Sequence, residues 1–282
     1  SVNVSGMSDK TDYFVSFGYS SNYGVNISNY LKRYNGNIKL NIKINDYLRA
    51  GVNYRFATAS GDNFSISPID IGQMPPWQPI YDPNGTNGYA NAVSGYDANG
   101  IWTAQKLYGN ATGQNRPGYY SLSNNLNSSV RNMGTAYLEL EPIKALKIRG
   151  SISIDKFDNG NIRNNPYVAS YLSIDGGDPA ARAGGSSIGD LENHNINNRN
   201  IIYELSASYV KSIGNHNIDL LLNTMNQDFK AANLNAYTVY ATSIDPNIVE
   251  FGGDNQYSSV VSLRNLNRLQ GYLFRADYNY AR

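Results

Sequence analysis

Asn37-Ile-Lys-Leu-Asn-Ile-Lys-Ile44 alternates polar and aliphatic side chains without a break. Successive side chains of a strand point to opposite faces, so Ile38, Leu40, Ile42 and Ile44 form one apolar stripe. Asn37, Lys39, Asn41 and Lys43 form a wholly polar stripe behind it. The pattern recurs along the chain in segments of about ten residues, the length a tilted strand needs to cross a bilayer. Such strands, laid side by side, build a wall with hydrocarbon on one face and water on the other.

Composition narrows the alternatives. Of 282 residues, 16% are charged, against about 25% in ordinary soluble proteins. The 24 Tyr and 26 Gly, together with frequent Asn, favour many strands joined by turns. A net charge of +1 without any dense Lys/Arg cluster leaves no electrostatic basis for binding nucleic acid. The chain has no Cys, which excludes disulfide scaffolds, thiolate metal sites and cysteine nucleophiles. No apolar run approaches the roughly 20 residues of a transmembrane helix. A mean hydropathy of −0.47 does not oppose a membrane location, because an every-other-residue code averages away. Ser1-Val-Asn-Val-Ser5 reads as a strand already under way and not as a leader. The chain is therefore expected to be processed or to be a piece of something longer.

Nine strands are expected. They run Ser1–Ser5, Thr11–Tyr19, Arg33–Ile44, Leu48–Thr58, Arg131–Leu140, Leu146–Asp155, Ile201–Val210, Ile218–Asp228 and Leu269–Tyr280. Tight turns fall at Gly6–Lys10, Asn45-Asp46, Glu141–Lys144 and Gly214–His216. Between them lie a modest loop at Asn22–Asn29 and long ones near Ser60–Asn127, Asn159–Asn198 and after Asp228. The connections thus alternate short and long, which puts all short turns at one end of an up-and-down antiparallel wall. Outer-membrane barrels do this, with short periplasmic turns and long extracellular loops. Compact soluble domains seldom hold several loops of more than about 15 residues. Tyr13/Tyr19 and Tyr203/Tyr209 resemble interfacial girdle pairs, but six residues give only about 14 Å of height at about 45° tilt. The apolar band should be about 25 Å tall, so that girdle is incomplete.

Several stretches resemble the SusC/RagA family of TonB-dependent outer-membrane transporters of Bacteroidetes. They are Asn3-Val-Ser-Gly-Met-Ser-Asp-Lys-Thr-Asp-Tyr-Phe-Val-Ser-Phe-Gly-Tyr19, Tyr30-Leu-Lys-Arg-Tyr34 and Lys43-Ile-Asn-Asp-Tyr-Leu-Arg-Ala-Gly-Val-Asn53. Further along come Met74-Pro-Pro with Pro79-Ile-Tyr-Asp-Pro-Asn-Gly85, Ala136-Tyr-Leu-Glu-Leu-Glu-Pro142 and Arg275-Ala-Asp-Tyr-Asn-Tyr-Ala281. Their order and spacing match from end to end. The resemblance implies an all-β, antiparallel up-and-down transmembrane barrel segment, with residues 1–282 forming nine strands of a larger barrel. A plugged, 22-stranded barrel is the family's architecture. Residues 60–127 would be a long extracellular loop, and nothing here resembles the plug domain. Nine strands alone would leave two open sheet edges. The implied function is active import of oligosaccharides or oligopeptides across the bacterial outer membrane. A SusD-like surface lipoprotein would cap the loops, and TonB would act through the plug segment. Outer-membrane lipid would wet the apolar face.

Lys39, Lys43, Arg49, Arg55, Lys147, Arg149 and Arg275 alternate with the aliphatic stripes, as do Glu139, Glu204, Asp219 and Asp277. A Lys or Arg on the lipid face costs about 2–4 kcal/mol at the midplane, so these side chains are expected to face the lumen. There they would hold the plug, line the substrate path or serve as solvated wall residues. Trp77, Tyr81, Trp102, Tyr108, Tyr119 and Tyr120 lie in the first long loop. Their rings suit stacking on substrate, contact with a lid, or a small core of the loop itself.

Catalytic, cofactor and metal roles find little support. Asp82-Pro-Asn-Gly85 and Asp97-Ala-Asn-Gly100 read as turns, because no Glu completes a calcium loop in register. The two His, His194 in a polar loop and His216 in a tight turn, have no neighbouring nucleophile in a triad-like setting. The chief alternative is a soluble, secreted β-sandwich acting as a glycan-binding or adhesin protein, whose strands would be about five or six residues long.

Overall fold

The computed structural model describes residues 1–25, 29–63, 76, 79–90, 94–96, 102–104, 115–165, 190–239 and 259–280. Nine strands make one antiparallel sheet: β1 (Val2–Met7), β2 (Thr11–Tyr23), β3 (Tyr30–Lys43), β4 (Leu48–Asp62), β8 (Asn124–Ile143), β9 (Leu146–Asn165), β10 (Asp190–Ile213), β11 (His216–Val239) and β12 (Ser259–Tyr280). Each pairs with its neighbour in that order, a plain meander without crossovers. Between β4 and β8 lie β5 (Tyr81–Thr86), the paired β6 (Ser94–Tyr96) and β7 (Trp102–Ala104), and a short helix α1 (Arg116–Leu122).

The register explains why the alternation matters. Tyr13 pairs with Leu40, Leu40 with Val52, Val52 with Ala136, Ala136 with Ile152 and Ile152 with Tyr203. An apolar band therefore crosses the sheet from strand to strand on one face. Shifting any strand by one residue would turn its apolar set over to the charged side, so the pattern fixes the pairing. Ile38, Leu138, Ile152, Leu205 and Leu222 in this band are all exposed. Among the described residues, the buried apolar side chains are only Ala90, Tyr120 and Leu191. Neither sheet face is covered by a second β layer among those residues, which removes the sandwich.

Short connections at 8–10, 44–47, 144–145 and 214–215 all lie at one end. Gly214 takes φ of 59° in one of the two two-residue turns, a left-handed conformation that glycine adopts without a Cβ clash. In the hairpin that follows β5, Asn87 (φ 50°) and Gly88 (φ 81°) turn the chain so that Tyr81 and Tyr89 pair.

The strands are longer than the alternation alone indicates. β2 continues to Tyr23, β4 to Asp62 and β9 to Asn165, while β8 begins at Asn124 and β10 at Asp190. β10 and β11 have 24 residues each, about 80 Å at about 3.3 Å per residue. At a tilt of about 45° that is about 56 Å of height, roughly twice the apolar band. The surplus lies at the end carrying the long connections. There both faces are polar, so the contrast that marks a strand in sequence disappears while the backbone ladder continues.

This lengthening completes the aromatic girdle. Tyr23 pairs with Tyr30, their rings 6.5 Å apart, and Tyr19 meets Tyr34 at 4.8 Å. Tyr13 to Tyr23 is ten residues, about 23 Å of height at the same tilt, close to the expected band.

Candidate functional site

Opposite the apolar band, the same register gathers the polar side chains. Lys43 faces Arg49, which faces Glu139, which faces Arg149. Beyond lie Lys147 opposite Ser208, Ser151 opposite Glu204, and Leu221 opposite Arg275. Asp219 sits across from Asp277 on the same face. All eleven charged residues singled out by the alternation therefore share one face, among them Lys39, opposite Asn53, and Arg55, opposite Asn37 and Met133.

Near the short-turn end these groups form a network across five strands. Glu139 is the hub: Arg49 approaches one carboxylate oxygen at 3.2 Å and Arg149 the other at 3.8 Å. Arg49 also reaches Glu141 at 3.9 Å. The Arg149 guanidinium lies 3.9 Å from the centre of the Tyr137 ring, a cation–π contact. The Tyr137 hydroxyl donates to Asn41 Oδ1 at 2.9 Å, and Asn41 Nδ2 donates to Asp12 at 2.8 Å. Lys39 closes the row at 4.0 Å from Asp12. Gly51 is needed here: a Cβ at that position would collide with both the Tyr137 ring and Asn41 Oδ1. Each exposed pair contributes only about 0–1 kcal/mol, so the network's value lies in fixing side chains across the wall.

The remaining predicted residues divide into paired and unpaired. Arg275 binds Asp219 at 3.2 Å and Asp277 at 3.0 Å. Glu204 accepts from Asn223 at 2.9 Å. Lys43 turns to Asp46 at 2.8 Å, and that contact holds the Asp46 carboxyl below its ordinary value. Among the described residues, Arg55 and Lys147 carry no ion pair. Arg55 lines a hollow of about 210 Å³ with Asn53 and Thr135.

Two clusters escaped the sequence reading because they lie on strand that it assigned to loop or left at a strand's end. Arg131 makes a two-pronged contact with Asp155, at 3.0 and 2.7 Å. With Phe157, Asn198, Asn200 and Phe229 it lines a hollow of about 270 Å³ on the polar face. Farther toward the long-connection end, Arg163 binds Asp190 at 2.8 Å and Glu192 at 3.4 Å. Continuing the odd-numbered set of β9 past Asp155, through Phe157 to Arg163, is the signal that would have found both.

Of the six loop aromatics, the side chains of Tyr81, Tyr119 and Tyr120 lie among the described residues. Tyr81 is exposed, with its ring 5.5 Å from that of Tyr89. Tyr120 is buried in α1, and Tyr119 meets it edge-on at 5.5 Å. Burial, reinforced by Asp190, raises the Tyr119 hydroxyl above its usual pKa. Asn115 organises this region: its Nδ2 donates to Ile80 O and Ala90 O at 2.7 Å each, and its Oδ1 caps α1 at Gly118 N. Trp77 and Tyr108 lie outside the described residues, as does the Trp102 side chain on β7.

Both histidines are in strands, not in a loop or turn. His194 belongs to β10. His216 opens β11, 2.7 Å from the Tyr278 hydroxyl and 5.1 Å from the Tyr280 ring, an aromatic cluster at the short-turn end. No group of three metal-ligating side chains occurs among the described residues.

No protein-family model matches the chain. Over 230 residues it is 24% identical to a TonB-dependent receptor of Formosa agariphila, covering 78% of this chain and 20% of the receptor. Its fold matches the RagAB peptide importer in the closed-closed state with a TM-score of 0.68 at 18% identity, over 99% of this chain and 29% of that one. The open-open state gives 0.65 at 20% identity, with the same coverage. The chain thus spans less than a third of the length of either relative. Its nine-stranded meander has the fold of a segment of a TonB-dependent receptor barrel, an outer-membrane architecture.

Proposed function

We propose that this chain is part of the wall of an active outer-membrane importer, with the apolar band against lipid and the charged face toward a plugged, water-filled lumen. The one-sided charge ladder carries this reading. Lys39, Arg49, Glu139, Arg149, Glu204 and Arg275 lie on one face while the apolar band occupies the other. Turning those charges toward hydrocarbon would cost about 2–4 kcal/mol for each Lys or Arg near the midplane.

Energy would come from TonB acting through a plug, and a SusD-like lipoprotein would close the long-loop end. The cargo would be an oligopeptide or an oligosaccharide. The likeness to a peptide importer favours the first, as does the hollow in which the Arg131–Asp155 pair lies beside Phe157 and Phe229. A peptide offers both charges and apolar side chains to such a surface. The residues near the short turns, Lys39 to Arg149, would hold the plug. Those of the Arg131 hollow would meet substrate. No step of this reading is catalytic.

Uptake by cells expressing the full-length protein tests it. Labelled oligopeptides should enter only while TonB and the proton-motive force are intact, and unlabelled oligosaccharides should not compete. TonB-independent entry would overturn the transport reading, and competition by sugars alone would reassign the cargo.

A further inference from the structure

The apolar band does not end in neutral residues at the long-connection end. Lys156, Arg199 and Lys230 stand side by side on β9, β10 and β11. Two residues farther along, Arg264 on β12 pairs with Ala232, which faces Asn197 and thus Asp158. Alternation puts all four cations on the face of Ile152, Ile154, Tyr203 and Leu222, not on the charged face. They border one cleft of about 540 Å³.

Their charge is poorly neutralised. Lys156 meets Asp158 at 3.0 Å. Among the described residues, Arg199, Lys230 and Arg264 have no ion pair, and Arg199 Nε is buried without a hydrogen-bond partner. The neighbouring Arg268 and Asp228, 3.4 Å apart, cancel each other. A cleft holding three unmatched cations and one buried unsatisfied N–H calls for an anion.

Height selects which anion. Arg199 is fourteen residues from Ile213 at the short turn, and Lys156 is ten from Leu146. At a tilt of about 45° these distances give about 33 and 23 Å of rise. A band about 25 Å tall therefore ends at or below this row, where a lipid-facing Lys or Arg ceases to be costly and meets headgroups.

Resting on the membrane placement proposed above, we infer that this cleft binds the phosphorylated sugar headgroup of an outer-leaflet glycolipid. Arg199, Lys230 and Arg264 grip its phosphates, and the apolar band below receives its acyl chains. Arg suits this role because its planar fork donates two parallel hydrogen bonds to a phosphate. The lipid thereby spans three strands, β10 to β12, and staples the wall at the level of the leaflet.

The test uses the full-length protein in detergent, with native mass spectrometry and thermal unfolding as readouts. The probes are lipid A, the same lipid after enzymatic dephosphorylation, and inorganic phosphate. Wild-type protein should retain lipid A and unfold at a higher temperature with it. A variant combining Arg199→Gln, Lys230→Gln and Arg264→Gln should bind it at least about tenfold more weakly. The single Lys230→Gln exchange, at an exposed site, should assemble normally and weaken binding about threefold. The dephosphorylated lipid should show no difference between wild type and variants, and millimolar phosphate should not displace lipid A. Equal retention of lipid A by wild type and variants would overturn the inference while leaving the membrane reading intact. Displacement by inorganic phosphate would reassign the cleft to a free anion and overturn the lipid as its ligand. A protein that stays monodisperse without detergent would instead sink the membrane reading itself.

Discussion

Exchanging Leu40 and Asn41 in turn for arginine tests the facing of the wall at adjacent positions of one strand. Leu40 lies between Tyr13 and Val52 on the apolar face, and Asn41 lies between Asp12 and Gly51 on the charged one. Leu40 is four residues from Ile44, about 9 Å above the base of the band at a tilt of about 45°. That places it about 4 Å from the middle of a band about 25 Å tall. Leu40→Arg should therefore cost at least about 2 kcal/mol, about thirtyfold in the folding equilibrium. Asn41→Arg loses the hydrogen bonds to Asp12 and Tyr137, each worth about 1 kcal/mol. The new guanidinium, however, faces the Asp12 carboxylate and recovers about half of this by charge-assisted hydrogen bonding. Its net cost should be about 1 kcal/mol, about fivefold. Urea unfolding of the full-length protein in lipid vesicles, with the folded fraction read from heat-modifiable gel mobility, measures both. Equal destabilisation by the two exchanges, or a larger one for Asn41→Arg, would refute the assignment of lipid and water to their faces.

Two further exchanges probe local architecture. Gly51→Val drives a side chain into the Tyr137 ring and should lower stability by about 1–3 kcal/mol. Tyr137→Ala in the same chain should restore most of the loss in the same urea titration, and absence of rescue would mean that the ring contact is not the cause. Asn115→Ala removes the two bonds to Ile80 and Ala90 and the cap of α1. Limited proteolysis should then release the Tyr81–Ala90 hairpin, while β-sheet circular dichroism stays unchanged. Unaltered cleavage would show that Asn115 is not the clasp.

What could be read in the sequence, and what could not, follows from where the two solvents differ. Ile38 to Ile44 announces itself because hydrocarbon lies on one side and water on the other, and the strand must answer both. The charged residues of the wall were legible for the same reason: Lys39, Arg49, Glu139 and Arg149 are the polar half of that alternation. Asn159-Gly-Asn-Ile-Arg-Asn-Asn165 is equally a strand, yet its two faces are both polar and its composition is that of a turn. The cluster built on that part of the fold, Arg163 with Asp190 and Glu192, stayed hidden with it, while Arg131 and Asp155 went unpaired in the sequence because each stands at the outer end of its expected strand. Asn115 was invisible for a different reason, because its three partners depend on the path of a loop and not on any period.

The same solvent argument separates cations that a count of charges would merge. Arg149 and Arg199 are both arginines of long strands, and β9 and β10 are adjacent. On the membrane reading proposed above, Arg149, level with the apolar band, turns to the lumen, and Glu139 and Tyr137 hold it on that face. Arg199 points to the opposite face and has no ion pair among the described residues. On the same reading it is sustained there because the strand has already climbed past the hydrocarbon, where its charge gains a partner from the leaflet. Moving it six residues toward the short turn tests this. Leu205→Arg with Arg199→Leu keeps the composition and the face but brings the charge about 14 Å deeper at the same tilt, inside the band and opposite Thr224 and Gly150. Vesicle-embedded protein should lose about 1 kcal/mol or more by urea titration. No loss would mean that height in the membrane does not set which face a cation takes.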